Sequence, residues 1–431
     1  MSELETAAVV LTSYADVKEA LGNVDLTRNI DSERYCRGNI LENVIMMLDG
    51  AHHRDRRRAE NMLFRRDALT RFELDVLPRT IDDLVESLIE DGESDLIEIG
   101  STVALTISAA IAGLDVDAHS PGQLAKLRRL THRISRGAAI DGATGDLEAI
   151  KADVRDALSA LRAGYFEPSM ESRRDRNRSS ASGGELGDVL SILMHNQEAL
   201  DLADDDLLRE TAFFLEAGSN TSAQALASAF HFLFGDVAVT GDDVHVPDRA
   251  HIQRCVQEAL RLRPTNPAIK RRAQRATSVA GRALAKGQHL LLDVGSANRD
   301  RAAFGLDADD FNANRIVPGS VNRYGLSFGG GIHACIGRVL AVGLPPKGPQ
   351  APESPDHLYG MVTLLAESLL AHGVIPHPQK APEAESQTIR WTRWAHYPVA
   401  FRQPRTTGAQ LDWPSRPRRC LATTSKPRLS I

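Results

Sequence analysis

The sequence predicts a mainly α-helical protein with a minor β part. Three observations carry this. Apolar residues recur at three- and four-residue spacing through most of the chain, above all in "DDDLLRETAFFLEAGSNTSAQALASAFHFLFG". Several of these runs stop at a glycine or a proline, such as Gly113 and Pro264. Short strands and turns prevail between Pro264 and about Val294.

The elements follow in order. "SYADVKEALGN" reads as a short helix, with Ser13 or Asp16 as its cap. Residues 25–49 are mixed and loop-rich. "HHRDRRRAENMLFRRDALTRFELDVLPRTIDDLVESLIEDG" is helical with a break near Pro78. "DLIEIGSTVALTISAAIAGLD" is a buried helix ended by Gly113, and helical pattern returns over 121–166. "ESRRDRNRSSASGGELGD" has no apolar period and reads as a surface linker. "DVLSILMHN", the long run after it and "RAHIQRCVQEALRLRP" are helices. "VAGRALAKGQHLLLDVGSANRD" reads as two β segments about a Lys-Gly turn. Past Ala341, "VGLPPKGPQAPESPDHLYG" holds too many prolines for continuous helix. "MVTLLAESLLAHGV" is helix again. Beyond Pro404 the chain is basic and aperiodic, as a disordered tail is.

Composition bounds the function. With 51 basic and 57 acidic side chains the net charge is −6, which gives no general reason to bind nucleic acid. Cys36, Cys255, Cys335 and Cys420 form no C-x-x-C pair, so spacing supports neither a zinc knuckle nor a dithiol redox site. A reducing cytoplasm is the expected location. The acidic N-terminus has an apolar run too short for a signal peptide or an anchor, and no stretch reaches membrane-spanning length. A soluble monomer is expected.

One stretch carries chemistry: "FGGGIHACIGRVLA", Phe328 to Ala341. A thiolate that ligates a metal needs backbone N–H groups aimed at its sulfur, and the tight turns this requires suit glycine. Gly331 and Gly337 flank Cys335, and Phe328 can keep water from it. With no second sulfur or histidine ligand nearby, a planar macrocycle is the natural partner, and haem iron with an axial thiolate fits.

At these residues the sequence resembles the cytochrome P450 monooxygenases. Their haem-thiolate loop reads F-x-x-G-x-[HR]-x-C-x-G, and Phe328, Gly331, His333, Cys335 and Gly337 stand at its fixed positions. Other motifs of the family follow the same order. Glu258 and Arg261 match E-x-x-R, three apart on one helix face. Arg315 matches the third basic residue that completes this buried network. "AGSNTS" resembles the oxygen groove of the family's long central helix, through Ala217, Gly218 and Thr221. The small pair is expected to let the helix open locally, and Thr221 to help route protons. A hydroxyl bonded back to a carbonyl one turn earlier is the bland alternative for Thr221. Asn220 replaces the acid of that pattern. His53 and Arg57 match the H-x-x-x-R that grips haem propionates, and Arg271, rather than Arg272, is the further propionate arginine.

The resemblance implies the cytochrome P450 fold, with haem b between the central helix and the cysteine loop. It implies a monooxygenase that places one oxygen atom of dioxygen into a small hydrophobic substrate. Electrons would come from a ferredoxin and its reductase, since no flavin or dinucleotide fingerprint is visible. By position, Phe213, Phe214, Ala217, Asn266, Ala268, Ile269, Trp394 and Ala395 would line the substrate pocket. Residues 1–403 would form one domain, with a shortened N-terminus and a proline-rich insert at about 343–359; residues 404–431 would be the tail. Two other readings stay open: a haem-binding protein of this fold without turnover, or a peroxide-driven oxidant.

Overall fold

The computed structural model describes residues 8–117, 120–143, 145–179, 187–236, 239–240, 243–244, 246–345, 354, 356–385 and 393–402. The proposed tail falls outside this set, as does most of the proline-rich insert.

Strand β1 (Val9–Leu11) leads into helix α1 (Tyr14–Gly22). Ser13 caps α1 by accepting the Asp16 N–H at 3.1 Å. After β2 (Leu26–Thr27) comes α2 (Gly50–Glu60), which buries His53, Arg56 and Glu60 along one face. Helix α3 (Leu77–Leu88) holds Pro78 in its first turn, where the missing N–H costs nothing. Strand β3 (Glu93–Asp95) runs into α4 (Leu96–Ala112), which Asp95 caps and Gly113 ends at φ 91°. Helices α5 (Pro121–Ala138) and α6 (Leu147–Leu161) pack together, as the pattern over 121–166 predicts.

The expected linker is helical in its first half: α7 runs Glu167–Ser179. The cause is a tertiary charge contact that no periodicity shows. Arg173 is buried on α7 and donates to both oxygens of Asp188, at 2.7 Å in its closest contact. Asp188 in turn caps α8 (Val189–His195).

The long run forms α9 (Asp204–Asp236), 33 residues packed lengthwise on α4. The two helices approach closely at Gly100, where a Cβ would lie 2.9 Å from the Ala223 Cα. Helix α10 (Arg249–Leu262) is capped by Asp248 and almost wholly buried. Strand β4 (Ala268–Ala273) pairs antiparallel with both β2 and β5 (His289–Asp293), and β5 pairs parallel with β1. Between β4 and β5 the chain makes a hairpin, Thr277–Val279 with Arg282–Leu284, and Arg282–Leu284 and β5 are the two β segments expected about the Lys-Gly turn.

Helix α11 (Arg338–Val342) follows the cysteine loop and stops at Gly343. Helix α12 (Met361–Ala371) begins after Gly360. The chain returns to the point it left, since a Cβ on Gly360 would lie 2.3 Å from the Gly343 nitrogen. Gln253 stitches this junction: its amide nitrogen lies 3.0 Å from the carbonyl oxygens of Val342 and Leu344. Glu73 accepts the N–H groups of Tyr359 and Gly360. A second small sheet joins β6 (Val374–Pro376) and β3 through β8 (Pro398–Phe401), and β7 (Trp394–His396) lies just before β8.

Two apolar cores result. The larger lies among the helices and includes Leu105, Phe166 and Phe230. The smaller lies between α1 and the four-stranded sheet and includes Leu11, Val17, Leu290 and Phe304. Among the described residues no helix is long and apolar enough to cross a membrane.

Candidate active site

The cysteine loop rests on the end of α1. Gly331 has φ 63°, and a Cβ there would sit 2.1 Å from the Leu21 carbonyl oxygen, so only glycine fits. The Cys335 N–H donates to the Phe328 carbonyl at 2.9 Å and closes the loop. Phe328 meets Tyr324 edge to face. The sulfur accepts the backbone N–H groups of Gly337 and Arg338, and the guanidiniums of Arg57 and Arg338 lie near it. Burial is nonetheless the larger effect and pushes the thiol up. Cys335 still keeps exposed surface. Both hold if the sulfur faces a space inside the fold.

The basic residues gather beside this loop. Arg57 donates to the Ala334 carbonyl at 2.7 Å, tying α2 to the loop. His53 meets His333 edge to face at 4.7 Å, and His333 Nε2 lies 3.4 Å from Asp49 Oδ1. Burial, helped by His333 and Arg57, pushes His53 down to about 4. The ring is therefore neutral at neutral pH and offers a hydrogen bond rather than a charge.

Arg271 provides a test of fit. It is 2% exposed, and its hydrogen bond among the described residues goes to the Lys270 carbonyl next to it. Burial and the neighbouring Arg28 push it down to about 9. Burial pushes Arg28 down as well. Neither guanidinium has an ion pair to a carboxylate among the described residues. Asp49 and Asp141 attract them only from beyond ion-pair distance. Two crowded cations so placed are costly, and an anionic group between them removes that cost. Arg272 instead faces the Asn29 carbonyl. Gly337 makes the same point: a Cβ there meets nothing within 4 Å, so the protein itself does not demand glycine beside the sulfur. A flat anionic macrocycle on Cys335 accounts for both features.

On α9, residues 213, 214, 216–218, 220 and 221 are partly accessible, between buried stretches on either side. These positions form one partly accessible side of the helix. The Thr221 hydroxyl donates to the Ala217 carbonyl at 2.6 Å, the back-bonded arrangement. Its lone pairs remain available as acceptors. Asn220 makes no side-chain hydrogen bond among the described residues. Helix α9 runs unbroken, so the expected local opening is not seen. Gly218 serves packing instead, because a Cβ there would lie 2.3 Å from Ser108 Oγ on α4.

Two expected pocket residues lie elsewhere. Ile269 packs in the smaller core against the strand partner of β4. Trp394 is buried, with the Arg263 guanidinium over its ring at 4.6 Å and Gln224 bonded to its backbone N–H and C=O. Both side chains are buried in the cores instead.

The E-x-x-R pair forms a closed network. Arg261 grips Glu258 with two hydrogen bonds, of 2.8 and 2.7 Å. Arg315 Nε reaches Glu258 Oε1 at 3.0 Å. The remaining protons of both arginines go to the carbonyls of Asn298, Ala308, Phe304, Asp307 and Asp310 and to the Asp307 carboxylate. All three side chains are at most 4% exposed.

Sequence reasoning missed three groups. Arg28 beside Arg271 lies in a loop without a motif. Glu60, Arg56 and Glu210 form a buried cluster, with Arg56 on Glu210 at 2.6 Å and both Glu60 oxygens unpartnered. Glu216 stands on the accessible face of α9, within reach of the Arg393 charge. Only the last turns of the basic helix, where Arg56 and Glu60 stand four apart, carried any signal.

A lone cysteine with backbone donors at its sulfur, beside guanidiniums that form no ion pair among the described residues, defines a haem-thiolate class of site. Comparisons agree. The family model for cytochrome P450 matches residues 3–342. A self-sufficient cytochrome P450 monooxygenase of Oidiodendron maius is 29% identical over 179 residues, 36% of this chain and 16% of that protein. A putative cytochrome P450 of Bacillus subtilis is 29% identical over 188 residues, 43% of each chain. The pulcherriminic acid synthase of the same organism is 31% identical over 160 residues, 36% of this chain and 39% of that one. The match thus spans less than half the length of these curated relatives. Among solved structures, substrate-free CYP109E1 from Bacillus megaterium superposes with TM-score 0.70 at 19% identity, covering 93% of this chain and 94% of that chain. CalO2 gives 0.69 at 21%, covering 91% and 90%. At such identity these show the fold. The chain belongs to the cytochrome P450 family, whose cofactor is thiolate-ligated haem b.

Proposed function

We propose that this protein is a haem-thiolate monooxygenase that inserts one oxygen atom of dioxygen into a small organic substrate with a largely apolar body. Electrons come from a separate ferredoxin-type partner, and the protein works in the cytoplasm as a monomer. The observation that carries this reading is Cys335, a lone thiol faced by two backbone N–H groups and two guanidiniums.

Cys335 would hold haem through its sulfur, and the bound group would supply the oxygen-activating chemistry. The protein does the rest. Gly337 and Arg338 stabilise the thiolate by hydrogen bonds. His53, Arg57, His333, Arg271 and Arg28 would hold the anionic edge of the macrocycle, and Arg57 also fixes the loop through Ala334. Phe328 keeps water from the sulfur. Across the space, Ala217 and Gly218 present a small surface. Thr221 accepts a hydrogen bond there and positions a water, while Asn220 holds a second water without ionising. Glu258, Arg261 and Arg315 lock α10 to the segment before the cysteine loop.

Asn220 and the back-bonded Thr221 favour one rival, a haem-binding protein of this fold without turnover. The ferrous–carbon monoxide difference spectrum comes first. A red-shifted Soret band supports thiolate ligation, and a band at the position of histidine-ligated haem overturns it. Product formation with a surrogate ferredoxin and reductase then separates the monooxygenase from the rival. Product with hydrogen peroxide alone would instead mark a peroxide-driven oxidant.

A further inference from the structure

The accessible face of α9 is not purely apolar. Glu216, Asn220 and Gln224 stand four apart and form one stripe along the helix. Gln224, at the far end, is committed to both backbone groups of Trp394. That contact brings the chain at Arg393 alongside the same stripe. Glu216, two turns earlier, is partly accessible and stands among Phe213, Phe214 and Ala217, which are partly accessible too.

The charges on this face do not balance. Arg393 is the cation whose field reaches Glu216, and burial outweighs it and pushes the carboxyl up to about 7. Arg393 already faces another acid, with its Nε 3.7 Å from Glu385 Oε2. Glu216 has no side-chain hydrogen bond and no ion pair among the described residues. Among the described residues one carboxyl is therefore left over, beside the partly accessible Phe213, Phe214 and Ala217. A carboxyl so placed is costly unless a partner arrives with the ligand.

We propose that Glu216 is the polar anchor of the substrate pocket, and that the substrate is an apolar molecule bearing a cationic amine. This rests on the monooxygenase reading for the pocket's purpose and sharpens its substrate class. The carboxylate accepts a charge-assisted hydrogen bond or closes on a quaternary ammonium. Phe213, Phe214 and Ala217 cover the apolar body. Asn220, one turn further, adds a donor and an acceptor for a second polar group.

Benzyltrimethylammonium and its neutral isostere neopentylbenzene test this on the haem-loaded ferric protein, by calorimetry and by the shift of the Soret band. The quaternary nitrogen cannot ligate iron, so any shift reports the pocket. Glu216→Gln is expected to weaken the cation about tenfold, a change of ~1.4 kcal/mol, and to leave neopentylbenzene within about twofold. The neutral probe also shows that the variant is folded. In the wild type, cation affinity is expected to rise from pH 6 to pH 8 as Glu216 ionises, and in Glu216→Gln to stay flat. An equal loss for both probes, or no loss for the cation, overturns the proposal. So does tighter binding of phenylacetate that Arg393→Gln abolishes, which would make Arg393 the anchor and the substrate an anion. None of these titrations needs turnover. Failure of oxygen insertion would leave them standing, and their failure would leave the carbon monoxide band and turnover of neutral substrates intact.

Discussion

Arg271 shows how a single side chain is held for something outside the chain. A guanidinium 2% exposed, beside Arg28 and with one carbonyl for company, costs the protein stability on its own. Arg271→Met is expected to stabilise the haem-free protein by about 1 kcal/mol or more, read as a higher urea midpoint. The same change is expected to speed haem loss to an acceptor protein about tenfold, since a charge-assisted contact is removed. A lower midpoint without faster haem loss would make Arg271 a structural residue only. Glu60 is the acidic counterpart. It is fully buried, neither oxygen has a hydrogen-bond partner among the described residues, and burial with Glu210 nearby holds its carboxyl well above the usual range.

At the scale of elements, the Glu258–Arg261–Arg315 network joins α10 to the loop that precedes the cysteine. Its charges are desolvated but every one is met by a hydrogen bond, the condition under which such a network holds. Glu258→Ala strands two buried arginines and is expected to cost roughly 3–5 kcal/mol. Thermal denaturation checks this, and a loss below about 1 kcal/mol would contradict the network's role. The junction of α11 and α12 is a second such joint. Gly343 and Gly360 both adopt positive φ, and Gln253 and Glu73 satisfy the backbone groups that the break exposes. The helix is interrupted, yet its two halves remain fastened at one point.

For the whole molecule, buried titratable groups give stability a pH dependence of two signs. Glu210, pushed up to about 7, and Glu60 hold protons that an unfolded glutamate releases at about 4.3. The folded state then binds more protons, so their contribution is full at low pH and is lost as pH rises through the folded values. His53, pushed down to about 4, stays neutral while an unfolded histidine protonates below about 6.5. Its contribution is present above that value and is lost as pH falls towards 4. Glu60→Gln removes one titration and keeps the shape. Urea midpoints measured from pH 5 to 9 are expected to fall with pH in the wild type and to fall less in the variant. Parallel curves would show that Glu60 ionises without cost.

The sequence by itself determined what is written in short stretches. Helix positions followed from apolar spacing and caps, as with Ser13 before α1 and Gly113 after α4. The cysteine loop, the E-x-x-R pair and the H-x-x-x-R helix each lie within a dozen residues, so residue types and order were enough to propose Cys335, Glu258 and His53. What only the tertiary structure decided depends on which distant segments share a low-dielectric space. Arg28 meets Arg271, Glu60 meets Glu210, Arg173 turns a polar linker into helix through Asp188, and Arg393 comes to lie near Glu216. Ile269 and Trp394 left the expected pocket because packing, not position in the chain, chooses the face a side chain buries. Burial and long-range charge set these outcomes, and neither exists until the chain has folded.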